Sequence, residues 1–134
     1  MEALERLADD LDIADDGRIF FSEATVRYEM HEWAVDGLEA RGNGRIVCYD
    51  PRDNSTKTVL RGLRFPNGIC IASDGQSILF AETWGCCIKR FWFDGPKKDQ
   101  VEVVVDDEDG HLVAQLVEGL EQLFDDGRRQ ALEG

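Results

Sequence analysis

A chain of 134 residues with 43% apolar side chains has the length for one domain and a modest core. Its net charge of −13 would repel a phosphate backbone, which excludes nucleic acid as an expected partner, and no apolar run approaches the ~20 residues of a membrane helix. Residues 1–6 lack the basic-then-apolar layout of a secretory signal, so the chain as given reads as cytoplasmic.

Residues 1–8 read as an N-terminal extension, a helical turn or frayed end. Two β-rich segments, residues 11–14 and 18–23, then flank Asp16-Gly17, a hairpin signal in which Gly17 can take positive φ at no steric cost. Residues 25–43 break the strand rhythm and hold Met30, His31 and Trp33. A connection of that length is functional, mobile, or a helical turn that packs Met30 and Trp33 onto the sheet. Strand character returns at residues 45–50, turns through Pro51 to Ser55, and alternates polar and apolar over 56–60.

The stretch from Phe65 to Thr83 opens with the turn Phe65-Pro66-Asn67-Gly68, then reads strand, Asp74-Gly75 turn, strand. Residues 87–93 and 100–105 give two more strands around Asp94-Gly95-Pro96. Ile13-Ala14-Asp15-Asp16-Gly17 is echoed by Ile71-Ala72-Ser73-Asp74-Gly75, and Phe21-Ser22-Glu23 by Phe80-Ala81-Glu82. A four-stranded unit repeated at roughly 40–60 residues is the signature of β-propeller blades. The expected fold is mainly β: two four-stranded antiparallel blades of a β-propeller, residues 9–63 with the insertion 25–43 and residues 64–105. Residues 106–134 hold an acidic linker from Asp106 and then apolar residues at helical spacing, from Leu112 to Phe124, which predicts one C-terminal amphipathic helix.

Cys48, Cys70, Cys86 and Cys87 show no CxxC spacing and no nearby histidine, so reduced, partly buried thiols are expected instead of a zinc or redox site. On a strand, Cys86 and Cys87 would point to opposite faces.

Several spaced motifs, among them residues 10–17, Arg27-Tyr28, Gly44-Arg45-Ile46, Tyr49-Asp50, Phe65-Pro66-Asn67-Gly68, Ala81-Glu82-Thr83 and residues 93–97, resemble the strictosidine synthase-like family. That group includes the adipocyte plasma membrane-associated proteins and is similar to the wider gluconolactonase and paraoxonase superfamily. The resemblance covers about residues 8–105 and implies about two blades of a six-bladed propeller. The family's further blades have no counterpart here, so the chain reads as a fragment or a truncated relative.

The resemblance implies a central channel that acts on small molecules, as a lactonase or arylesterase-like hydrolase or a strictosidine synthase-like condensing enzyme. It also implies a calcium ion in the channel, with Asn67 at the position of a metal ligand and Asp9 as its repeat equivalent, where relatives often have Asn. Calcium accepts amide and carboxylate oxygens but takes six to eight of them, so the two residues cannot fill its shell. Asn67 is equally a turn residue, and Asp9 a solvated one.

The family's catalytic glutamate belongs to a later blade and has no counterpart here. Glu82 and Glu23, at equivalent strand ends, are the candidates for acid–base work, against the alternative that each bonds a neighbouring backbone group. His31, between two glutamates, is a proton-shuttle candidate or a surface-loop residue. A catalytically inactive two-blade interaction module is the competing function. Two blades also leave open sheet edges, and a homo-oligomer through them, with three copies closing a ring, is one assembly they permit.

Overall fold

The computed structural model describes residues 6–106. Strands β1 (Leu7–Ile13), β2 (Ile19–Thr25), β3 (Gly44–Asp50) and β4 (Ser55–Leu63) form one antiparallel sheet in chain order. Strands β5 (Pro66–Ile71), β6 (Ser77–Glu82), β7 (Cys87–Trp92) and β8 (Val101–Asp106) form a second with the same up-and-down order. The predicted blades are therefore present as two four-stranded meanders. Strand β1 starts at Leu7, which is buried and pairs with Thr25, so the sheet takes in residues read as an extension. The acidic linker and C-terminal helix expected within 106–134 lie outside the described residues, apart from Asp106, which ends β8.

The two hairpin turns are copies in detail. The Gly17 amide donates to the Ala14 carbonyl and the Gly75 amide to the Ala72 carbonyl, both at 2.9 Å, with φ of +89° and +65°. Those left-handed angles are why glycine closes both turns. Each first strand carries a bulge before the turn, between Ala8 and Leu11 and between Asn67 and Cys70.

The sheets pack face to face. Phe20, Ile46 and Leu63 from the first meet Ile69, Ile78, Phe80, Phe91 and Phe93 from the second. Phe20 and Phe93 stack at 4.5 Å between centroids, and the Arg18 guanidinium lies 4.9 Å from the Phe93 ring while pairing with Asp94. Full burial of one such phenylalanine contributes about 1.5–3 kcal/mol, so this seam is the main stabilising feature.

At the inner edge the two blades are joined by carboxylates. Asp10 accepts the Leu11 amide on one oxygen and the Ile69 amide on the other, both at 2.9 Å. Asp12 accepts the Ile13 amide at 2.8 Å and the Ile71 amide at 2.7 Å. Leu11 and Ile69, like Ile13 and Ile71, are repeat equivalents. Each aspartate thus ties the same backbone amide of two neighbouring blades, satisfying donors that an unpaired strand edge would leave open.

The insertion between β2 and β3 forms a 3-10 turn, Met30–Glu32, and a short helix α1 (Trp33–Glu39). It closes on itself through Asn43, whose carbonyl accepts the Val26 amide and whose side-chain amide donates to Asp36 and Glu39, all at 2.9 Å. Trp33 packs as expected of a helical turn, but on a side chain of the second blade's turn, stacking on Trp84 at 6.0 Å. Met30 does not pack on the sheet: it is 72% exposed, because the 3-10 turn places it outside the contact that Trp33 makes.

Candidate functional site

The start of each inner strand is the place where the sequence puts its metal candidates. Asn67 lies in β5 opposite Ala81, half-buried, with its side-chain oxygen accepting the amide of Gly68 at 2.7 Å. That bond reaches the next residue along β5, one short of the two-residue span of an Asx turn, so Asn67 sits in the strand and not in a turn. Asp9 lies exposed in the bulge of β1. Pairing registers place the two residues at equivalent positions: Ala8 opposes Glu23 as Pro66 opposes Glu82, and each candidate follows one residue later. Phe65 enters β5 with φ of +57° and leans on Trp84 at 5.3 Å, which fixes the approach to Asn67.

The donor chemistry suits a hard cation, but it supplies only part of a shell. An amide oxygen that accepts one bond keeps a second lone pair, and a carboxylate can add one or two oxygens. No group of three or more His, Cys, Asp or Glu side chains is placed to hold a metal among the described residues. Any calcium bound here would complete its coordination with water or with oxygens beyond these two.

The strand-end glutamates are both buried, and both are committed. Glu23 accepts the Arg6 amide at 2.7 Å on one oxygen and the Arg45 Nε at 2.5 Å on the other. Glu82 accepts the Arg64 amide at 2.8 Å on one oxygen; the other pairs with the Lys89 ammonium and takes a thiol contact from Cys87 at 3.7 Å. Arg6 and Arg64 are repeat equivalents, so the carboxylate-to-amide bond is a property of the blade itself. It fastens the residue entering the first strand to the end of the second. Acid–base work by either glutamate would have to give up a cation and a backbone amide.

Around Glu82 lies a groove of about 370 Å³ lined also by Arg64, Gly85, Cys87, Lys89 and Val103. Its thiol is no ready nucleophile: burial, then the neighbouring Glu82 charge, pushes Cys87 up from its ordinary range. Cys86 is not on a strand; it closes the 3-10 turn Thr83–Gly85 in the left-handed region, at φ +50°, and Cys87 opens β7. The alternation that a strand would impose on the two thiols therefore does not arise, because only Cys87 belongs to the strand read over residues 87–93. Cys48, Cys70, Cys86 and Cys87 form no disulfide. His31 sits on the surface, 3.9 Å from Glu29 and with its side chain 76% exposed, and is not brought to either glutamate.

The sequence reading missed Asp10 and Asp12 as interblade residues. The signal that could have found them is the alternation Asp10-Leu11-Asp12-Ile13 on an inner strand, with Gly68 and Cys70 at the equivalent places in the second unit. No helix among the described residues is long and apolar enough to cross a membrane.

The family model described as strictosidine synthase matches residues 9–96. A strictosidine synthase-like 13 protein of Arabidopsis thaliana is 43% identical over 99 residues, covering 74% of this chain and 25% of its own length. An adipocyte plasma membrane-associated protein of Danio rerio is 32% identical over 98 residues, covering 72% and 24%. The chain thus spans about a quarter of the length of the curated relatives it matches. The crystal structure of regucalcin from Agrobacterium tumefaciens, titled a calcium-binding protein, superposes with a TM-score of 0.54 at 20% identity, over 74% of this chain and 30% of that one. At that identity the likeness shows the propeller-like fold alone.

Proposed function

The chain belongs to the strictosidine synthase family, and on that premise we propose that it supplies two neighbouring blades of a six-bladed propeller enzyme acting on small molecules in its central channel. The intact protein is a hydrolase of lactone or aryl ester substrates, or an enzyme that condenses an amine with an aldehyde. Asn67 and Asp9 contribute two oxygens toward a calcium ion at the channel mouth. The observation that carries this reading is their equivalence: the same place on two neighbouring inner strands, each just after the residue that opposes a strand-end glutamate. The regucalcin neighbour, titled a calcium-binding protein, lends support. Calcium would act as a Lewis acid on a substrate oxygen; the chain's own part is to orient the ligand oxygens through the Phe65 to Gly68 stretch.

A second reading is a catalytically inactive interaction module. It is favoured by the state of Glu23 and Glu82, each held by a backbone amide and a cation. Hydrolysis of a lactone and an aryl ester panel by the wild type and by Asn67→Ala separates the two. Activity that falls in the variant supports the enzyme; rates equal to background in both remove the hydrolase reading for this chain.

A further inference from the structure

Three buried side-chain atoms among the described residues have no hydrogen-bond partner: Asp36 Oδ2, Thr83 Oγ1 and Trp84 Nε1. They are not scattered. Asp36 belongs to α1 of the insertion, and Thr83 and Trp84 open the 3-10 turn Thr83–Gly85 of the second blade. Those two elements touch. Trp33 stacks on Trp84, and a Cβ at Gly37 would lie 3.0 Å from Cε2 and Cζ2 of the Trp84 ring. Trp33, Asp36 and Gly37 stand at i, i+3 and i+4, so they share the face of α1 that meets this turn. Cε2 is the ring atom bonded to Nε1, so the nitrogen-bearing edge of the indole is the one against the helix.

Each of the three atoms has its own need. Asp36 is fully buried; its Oδ1 accepts from Asn43 Nδ2 at 2.9 Å, and its Oδ2 still calls for a donor. The insertion's arginines do not supply one, because Arg27 and Arg41 both pair with Glu39. The Trp84 N–H calls for an acceptor, and the Thr83 hydroxyl can take either part. A buried polar atom without a partner is costly, and such groups in native proteins are met by protein or by ordered water. A cation would answer Asp36 and Thr83 but would face the positive edge of the indole. A neutral guest that both donates and accepts answers all three. The three atoms are shut off from bulk solvent, which keeps that guest small.

We propose that one water molecule sits between α1 and the Thr83–Gly85 turn, accepting from Trp84 Nε1–H, donating to Asp36 Oδ2 and sharing a hydrogen bond with the Thr83 hydroxyl. About three bonds are usual for a buried water. This water ties the insertion to the second blade at the root of β5, where Phe65 packs on Trp84 at 5.3 Å and leads into Asn67. Asp36 is thereby a positioning residue for Asn67, acting through the water, Trp84 and Phe65. The water site stands apart from the calcium reading; only the use made of Asn67 rests on it.

The test is nuclear magnetic resonance of the isotope-labelled chain, which has three tryptophans, with Trp84→Phe marking the Trp84 indole signal. The Trp84 indole proton should show a cross-relaxation peak to water with the sign of a long-lived bound molecule, and that peak should vanish in Asp36→Leu. The Gly68 amide, which donates to the Asn67 side chain, should shift in the same variant, while the Gly17 amide of the first hairpin stays in place. A wild type without the water peak overturns the proposal, and that result needs no variant to fold. A peak that persists unchanged in Asp36→Leu overturns the part given to Asp36, and a peak lost with Gly68 unmoved overturns its positioning role. A Trp84 signal that moves when choline replaces sodium and potassium in the buffer puts a cation there and overturns the water.

Discussion

Replacing Glu23 by alanine should destabilise the first blade about as much as truncating a core phenylalanine. The Glu23 side chain is fully buried and that of Arg45 is 5% exposed. Removing the carboxylate takes away the ionic partner of the buried guanidinium, which keeps a longer contact to Thr58 Oγ1 at 3.4 Å, and takes the acceptor from the Arg6 amide. Breaking a buried pair from one side costs about 3–5 kcal/mol, a large share of the roughly 5–15 kcal/mol that holds a domain together. The net worth of the intact pair is smaller, because both ions were desolvated to form it. The double variant Glu23→Met/Arg45→Met should therefore recover part of the loss and sit about 1–3 kcal/mol below wild type, the cost of the amide left without its acceptor. Urea unfolding followed by tryptophan fluorescence reads both numbers. A Glu23→Ala protein within about 1 kcal/mol of wild type, or a double variant no better than the single, would refute the claim that this glutamate is a structural fastening.

Asp12→Ala removes the acceptor shared by Ile13 and Ile71; it should cost about 1–3 kcal/mol and speed hydrogen exchange at the Ile71 amide, with no change at Ile78 on the far side of the hairpin. Gly44→Ala should lower the unfolding midpoint, since a Cβ there would meet the Pro66 ring and lie 2.7 Å from the Ala24 carbonyl oxygen; overpacking of this kind costs about 1–3 kcal/mol. Stability should also fall in acid. The Arg52 guanidinium beside Asp50 lowers its carboxyl from 3.8 to about 2, and the Gln76 amide and the Arg18 side chain lower Asp74 and Asp16 in the same direction. A carboxyl depressed in the folded state stabilises above its unfolded value and loses that contribution as pH falls through the folded one. Thermal midpoints should be level above pH 3.8 as far as Asp50 is concerned, and drop toward pH 2, with a smaller drop in Asp50→Asn.

The blades were legible because turn chemistry and hydrophobic alternation agree at each hairpin: Gly17 and Gly75 sit where positive φ is required, and Phe21 and Phe80 recur at matching strand positions. The bonds of Glu23 and Glu82 to backbone amides were foreseeable too, since both close a strand in the repeat. What stayed hidden depends on long-range pairing. Whether Asp10 and Asp12 face water or a neighbouring blade is set by an amide about 59 residues away, which no local pattern reports. The same holds for the insertion: an alternation of Met30 and Trp33 cannot say that one stacks on Trp84 and the other stands in solvent.

The role given to Asn67 is tested most directly by thermal unfolding with and without calcium, on the wild type and on Asn67→Ala. A cation that binds only the folded chain at ten times its Kd adds about 1.4 kcal/mol, which raises the midpoint by several degrees in a chain of this size. The account predicts that rise in the wild type, no rise with magnesium at the same concentration, and its loss in Asn67→Ala. An unchanged wild-type midpoint at millimolar calcium, or an equal rise in the variant, would contradict it.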